Sequence, residues 1–194
     1  MVQKFYFLYK HIEPFNCYVH KMKKVVIILI CMISVSVGCG TVQSIIKSTF
    51  PYTATLVVPM SSKSNTLISA TSTASSFDQI FGNQEGTTYI KEVRVASARI
   101  DASSPTNQNL GIFKSVKLYI INGSGAEVMV ASRSDVSENI GNNLVLDIDN
   151  SRFIDDYIKG NNVRIKMEYV LRNNLTSDVS VRAAINLTSS PNTK

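Results

Sequence analysis

The residues able to do chemistry are few, and they are mostly carboxylates. Asp147-Ile148-Asp149-Asn150-Ser151, followed by Asp155 and Asp156, is the densest acidic stretch. On a strand Asp147 and Asp149 point the same way, and oxygen ligands at alternate positions suit Ca²⁺. The helix–loop–helix calcium pattern needs Gly at its sixth position, where this chain has Arg152. A strand end followed by a helix start, with acids favoured by the helix dipole, accounts for the same residues. Asp147 and Asp149 are thus a weak metal candidate, and no cofactor is expected. Polysaccharide hydrolysis would need two acids in a cleft, roughly 5–9.5 Å apart; Asp147, Asp149, Asp155 and Glu168 are the available donors. Ser44-Ile45-Ile46-Lys47 matches the S-x-x-K nucleophile motif, but the S-D-N and K-T-G partners of that chemistry are missing. Arg94, Arg99, Lys114 and Lys117 could form a basic patch, or serve as solvated strand positions.

What the chain lacks depends on where its residues lie. It has 194 residues, with 20 Lys and Arg against 14 Asp and Glu, a net charge of +6. That balance invites a nucleic-acid reading. However, residues 1–38 hold Lys4, Lys10, Lys21, Lys23 and Lys24 against Glu13 alone. Without those four net charges, residues 39–194 carry +2, and no nucleic-acid partner is expected. His11, His20, Cys17 and Cys31 fall in the same segment, so residues 39–194 have no His and a single Cys, Cys39. This excludes a Ser-His-Asp or Cys-His site, a Cys/His zinc site and an internal disulfide from that part.

The N-terminal segment has an order of its own. Lys21-Met22-Lys23-Lys24 precedes the apolar run Val25 to Val37, which ends at Gly38-Cys39. The run is short of the ~20 residues a spanning helix needs. A basic start, an apolar stretch and a small residue before the cut describe a secretory signal. An uncleaved anchor and a cleaved, freely released chain are the other readings of this run.

Ser36-Val37-Gly38-Cys39 resembles the lipobox of bacterial lipoproteins, with Ser36 where Leu is usual. The resemblance implies cleavage after Gly38 and two or three acyl chains on Cys39. Two chains give stable anchoring where one is marginal. Gly40 in place of Asp after the Cys resembles an outer-membrane signal, and the lack of an acidic run there resembles a periplasm-facing protein. Residues 1–21, with Phe5-Tyr6-Phe7-Leu8-Tyr9, do not read as part of a signal, and Met22 is the expected start.

From Pro51 onward the pattern is β. Strands are predicted over 52–58, 66–71 at a polar edge, 89–101, 116–121, 127–130, 142–148, 163–171 and 179–187. A bulge or sheet edge is expected near Arg99, where the alternation slips. A helical turn is predicted over 77–82. A short helix is predicted over 151–159, capped by Asn150 or Ser151 and closed by Gly160. Asn122-Gly123-Ser124-Gly125 is the clearest hairpin turn. The expected fold is an all-β, Ig-like antiparallel β-sandwich of about eight strands with one or two short helices. The divisions are an upstream extension (1–21), a signal (22–38), a lipidated tether (39–50) and a sandwich (51–190). The architecture is similar to small β-sandwich lipoproteins of Bacteroidetes. The expected role is non-enzymatic binding or scaffolding in the envelope, with an unknown envelope protein or glycan as partner. A secretion or pilus component, or a carboxylate hydrolase, is the alternative.

Overall fold

The computed structural model describes residues 48–78 and 86–192. Cys39, Gly38, the Ser44–Lys47 motif and most of the 77–82 turn lie outside them. Eight strands account for almost all of the regular structure: β1 (Ser48–Val58), β2 (Leu67–Thr71), β3 (Ile90–Ser104), β4 (Phe113–Ile121), β5 (Glu127–Arg133), β6 (Asn143–Ile148), β7 (Arg164–Leu171) and β8 (Val179–Pro191). Every neighbouring pair is antiparallel, in the order β1-β8-β3-β6-β5-β4-β7-β2. β6 joins the two halves: Asn143–Leu146 pair with β3, and Asp147 and Ile148 with β5. The sheet curls so that both halves share one core, which includes Leu56, Ile100, Leu118, Leu144, Ile165 and Val181. The expected eight-stranded antiparallel sandwich is the observed fold. Its two layers, β1-β8-β3-β6 and β2-β7-β4-β5, have the strand order of a jelly roll rather than the expected Ig-like order, because β8 and β7 insert between strands distant from them in sequence.

Alternation explains the strands. In β7, Ile165, Met167, Tyr169 and Leu171 are buried while Lys166, Glu168 and Val170 face out. Two bulges correct the places where a strict period of two would misdirect side chains. Ala96 is extra between Val95↔Leu187 and Ser97↔Asn186, which returns Ala98 and Ile100 to the core and explains the slip read at Arg99. Val130 is extra between Met129 and Ala131, so Val130 and Ala131 are both buried.

Two boundaries differ from the sequence expectation. Pro51 does not precede β1 but lies inside it, paired with Asn186. Proline is tolerated there because β1 is an edge strand. The sheet therefore includes residues 48–50, the end of the expected tether. The helix expected over 151–159 is a single turn, α1 (Asp155–Ile158), with Ile154 at its N-cap and no side-chain cap. Asn150 and Ser151 do not cap it. Residues 150–155 instead serve the first bulge of β3, where Glu92 takes φ 56° and pairing jumps from Lys91↔Ser190 to Arg94↔Thr188. Val93 thereby loses its partners in β8. Its N–H donates to Asp155 Oδ2 (3.1 Å), and its carbonyl accepts from Ile154 N (2.9 Å).

Asp155 is thus a structural acceptor for a buried amide. Asp155→Ala is expected to leave that N–H unpaired and cost about 1–3 kcal/mol. Asp155→Asn, which keeps an oxygen in place, is expected to recover most of it. Chemical denaturation of the three chains measures both values.

The up-and-down course of the strands sorts the connections to two poles. The loops 59–66, 105–112, 134–142 and 172–178 lie at one end, here the distal pole. The segments 72–89, 122–126 and 149–163 lie at the other, together with Ser48 and Pro191. That end is the entry pole.

Candidate functional site

At the distal pole, Asn109, Gly111, Ile112, Lys114, Glu138, Asn139, Arg172 and Asn173 line a polar cleft of about 510 Å³. Two side chains build it. Asn109 Oδ1 accepts from Gly111 N (2.9 Å) and Gly141 N (3.1 Å), while its Nδ2 donates to the Glu138 carbonyl (2.7 Å). One amide side chain thus ties loop 105–112 to loop 134–142. Arg172, at the end of β7, donates Nε to the Gly111 carbonyl (3.0 Å) and Nη2 to the Val136 carbonyl, and its Nη1 lies 3.5 Å from Glu138 Oε1. It holds the same two loops from below. Gly111 is buried where they meet, and a Cβ there would stand 1.9 Å from the Glu138 carbonyl oxygen.

The fourth side is equally tied. Lys114 Nζ donates to Asn65 Oδ1 (2.5 Å), Asn65 N donates to the Leu171 carbonyl (2.9 Å), and Ser64 N donates to Asn174 Oδ1 (3.1 Å). Below, Ser62 Oγ and Tyr169 Oη are 2.9 Å apart, and burial pushes the Tyr169 phenol above its ordinary value. The cleft therefore offers amides, cations and main-chain groups on a fixed frame, with Glu138 as its one carboxylate.

The acids singled out in the sequence are dispersed. Asp147 lies 3.3 Å from Arg133 Nη1 on the outer surface. Asp149 Oδ1 accepts from Ser151 Oγ (2.6 Å) and Ser151 N (3.1 Å), and those bonds hold its carboxyl below its ordinary pKa. A general acid needs the opposite shift. Asp155 serves Val93. Glu168 belongs to a cluster on the outer face of β4, β5 and β7. There Lys166 Nζ is 2.5 Å from Glu127 Oε2 and 3.2 Å from Glu168 Oε1, and Tyr119 Oη donates to Glu168 Oε2 (3.0 Å). The Glu127 bond raises the Lys166 pKa; partial burial, then the Glu168 bond, raises that of Tyr119. Neither Asp147, Asp149, Asp155 nor Glu168 lines the cleft. Among the described residues no three His, Cys, Asp or Glu side chains gather as a metal site.

The four basic residues also separate. Arg94 stacks on Phe153 at the entry pole, and Arg99 lies 3.3 Å from Asp101. These two share β3; Lys114, which reaches Asn65 at the distal pole, and Lys117, in register with Glu168, share β4 on the other layer. Sequence reasoning did not single out Asn109, Gly111 or Arg172. Pro105, Asn107 and Asn109 mark a loop, but nothing local links it to a residue more than sixty positions away.

Fold and cleft together define a jelly-roll domain with a polar cleft among the loops of one pole. No family model matches the chain, and no curated protein matches it. Among solved structures, the cyanophage Pam1 capsid asymmetric unit aligns at a TM-score of 0.37 and 10% identity, over 73% of this chain and 85% of that one. The infectious bursal disease virus VP2 subviral particle aligns at 0.34 and 12%, over 75% and 32%. A structure of carbohydrate-binding modules from the β-sandwich superfamily aligns at 0.30 and 9%, over 70% and 54%. The chain spans less than two thirds of the last two. At these TM-scores the likenesses carry no inference about this chain.

Proposed function

We propose that the chain is a lipid-tethered, non-enzymatic binding domain of the bacterial envelope, anchored through Cys39 and offering its distal cleft to a polar partner, an envelope glycan or protein loop. One observation supports the binding role above the others. The distal cleft is built from Asn109, Lys114, Asn139, Arg172 and Asn173 with a single carboxylate, an arrangement for hydrogen bonding rather than acid–base chemistry. Its position supports the tether, because the cleft lies at the pole opposite Ser48, where the chain enters the fold. Eight residues separate Cys39 from Ser48, a reach of at most about 32 Å over nine chain steps. A domain held so closely would face its distal loops away from the bilayer, toward the periplasm if the membrane is the outer one. No helix among the described residues is long and apolar enough to cross a membrane.

Radioactive palmitate is expected to label the chain in a bacterial host, and Cys39→Ala to abolish the label. Equal labelling of both would overturn the anchor. For the cleft, the full chain is expected to cosediment with isolated peptidoglycan sacculi or to capture a single envelope protein by cross-linking. Asn139→Ala with Asn173→Ala should weaken that association at least fivefold without moving the unfolding midpoint. An association unchanged in the double variant would overturn the cleft as the contact. Release of soluble glycan fragments would favour the hydrolase.

A further inference from the structure

The entry pole has a groove of its own. Glu92, Arg94, Phe153, Thr188, Ser189 and Ser190 line a space of about 300 Å³ beside the first bulge of β3. Ser189, opposite the bulge, is 2% exposed, and its Oγ has no hydrogen-bond partner among the described residues. At the rim the Arg94 guanidinium carbon lies 4.1 Å above the Phe153 ring, and Arg94 Nη1 donates to the Asn150 carbonyl (2.5 Å). Phe153 is nevertheless 49% exposed, and Tyr89 is 63% exposed. Tyr89 stands beside the same end of β8, since its carbonyl accepts from Asn192 N (2.8 Å).

Among the described residues these two are the aromatic members of the exposed large hydrophobics, and both lie at the pole where the chain enters. Ser48 pairs with Ser189 itself. Lys91 and Arg152 add exposed cations around them; Glu92 is the acid of the groove, while the pole's other carboxylates are engaged, Asp149 by Ser151 beside Arg152, Asp155 by Val93 and Asp156 by Lys159. Aromatic rings with one apolar and one polar side, flanked by Arg and Lys, favour the headgroup layer of a bilayer. A guanidinium already desolvated on one face by a ring, with donors left on its edge, suits a lipid phosphate.

We propose that the entry pole docks directly on the phospholipid bilayer. Tyr89 and Phe153 seat among the headgroups, and Arg94, Lys91 and Arg152 take lipid phosphate. The proposal rests on the Cys39 tether, which brings this pole to the membrane; docking then fixes an orientation that the lipid anchor by itself does not define. The distal cleft consequently points away from the lipid.

The chain contains no Trp, so one introduced indole is a clean reporter. Full chains carrying Phe153→Trp or, as a control, Val145→Trp on the outer face of β6 are purified from membranes and placed in phosphatidylethanolamine–phosphatidylglycerol vesicles with brominated acyl chains. Val145 is 62% exposed and lies outside the groove. The indole at 153 is expected to be quenched at least twofold more than the one at 145, and Arg94→Ala to reduce the difference. Equal quenching at both sites, or none at 153, would overturn the docking. So would an indole at 153 shielded from aqueous iodide but untouched by bromolipid, which would identify a protein covering instead. Failure of the tether is read separately, as absence of palmitate on Cys39, and leaves the quenching comparison intact.

Discussion

Gly111→Ala is expected to lower the stability of the domain by about 3 kcal/mol, more than any other single methyl addition at a glycine of the described fold. The added Cβ would meet the Glu138 carbonyl oxygen at 1.9 Å. Ordinary van der Waals contact begins near 3.4 Å, so one loop must retreat by about 1.5 Å. No side-chain rotation relieves the overlap, because both partners are main chain. The retreat strains the bonds that Asn109 makes to Gly111, Gly141 and the Glu138 carbonyl, and the one from Arg172 to Gly111. For a domain of this size the midpoint of thermal unfolding should fall by roughly 6–12 °C. Gly123→Ala is the control. Its Cβ would meet only Asn162 Cβ, at 3.5 Å, and the expected change is within about 0.5 kcal/mol. A Gly111→Ala midpoint within 2 °C of the parent would mean that the two loops are not held together as described.

The same glycine shows where sequence reading stops. Strands were legible because alternation is local. Val116, Leu118 and Ile120 announce a buried face, and Asn122-Gly123-Ser124-Gly125 a turn, without knowledge of any partner. The polar edge was legible in Thr66 to Thr71, and β2 indeed pairs only with β7. The failures occur where a distant segment overrides a local preference. Ser151 to Lys159 has acids, a cap residue and a terminal Gly, enough for a helix taken alone. The bulge of β3 leaves Val93 without its β8 partners, however, and Ile154 and Asp155 bond to its carbonyl and amide instead, so only one turn remains. Pro51 reads as a boundary unless β1 is known to be an edge. The distal cleft was invisible for the same reason: Asn109 and Arg172 look like unremarkable surface residues until the jelly-roll order brings their loops together. The acids, conversely, look like a site because they are close in sequence, and the fold gives each a different partner.

Arg172→Met tests whether that clamp is structural or only ornamental to the cleft, and a loss of about 2–3 kcal/mol is expected. The guanidinium is half-buried and donates to two carbonyls, of Gly111 and Val136, that belong to different loops. Hydrogen bonds from a charged donor contribute about 1.5–3 kcal/mol each. Water entering the open cleft recovers part of that, and Met keeps most of the apolar stem in place. The ion pair to Glu138 is the smaller component, because that carboxylate is largely exposed and the separation is 3.5 Å; exposed pairs are worth about 0–1 kcal/mol. Glu138→Gln should therefore change stability by less than about 0.5 kcal/mol. The ordering, Arg172→Met far above Glu138→Gln, separates the carbonyl clamp from simple charge pairing. Combining Arg172→Met with Gly111→Ala adds a further check. Both loosen the same junction of loops 105–112 and 134–142, so their effects should be less than additive by at least about 0.5 kcal/mol. Full additivity in equilibrium denaturation would place the two residues in independent structures and remove the basis for treating the distal loops as one preformed site. Less-than-additive behaviour, with β-sheet content retained, would show a cleft whose loops are rigid before any partner arrives. Affinity there would then depend on the side chains of Lys114, Asn139 and Asn173 rather than on loop ordering.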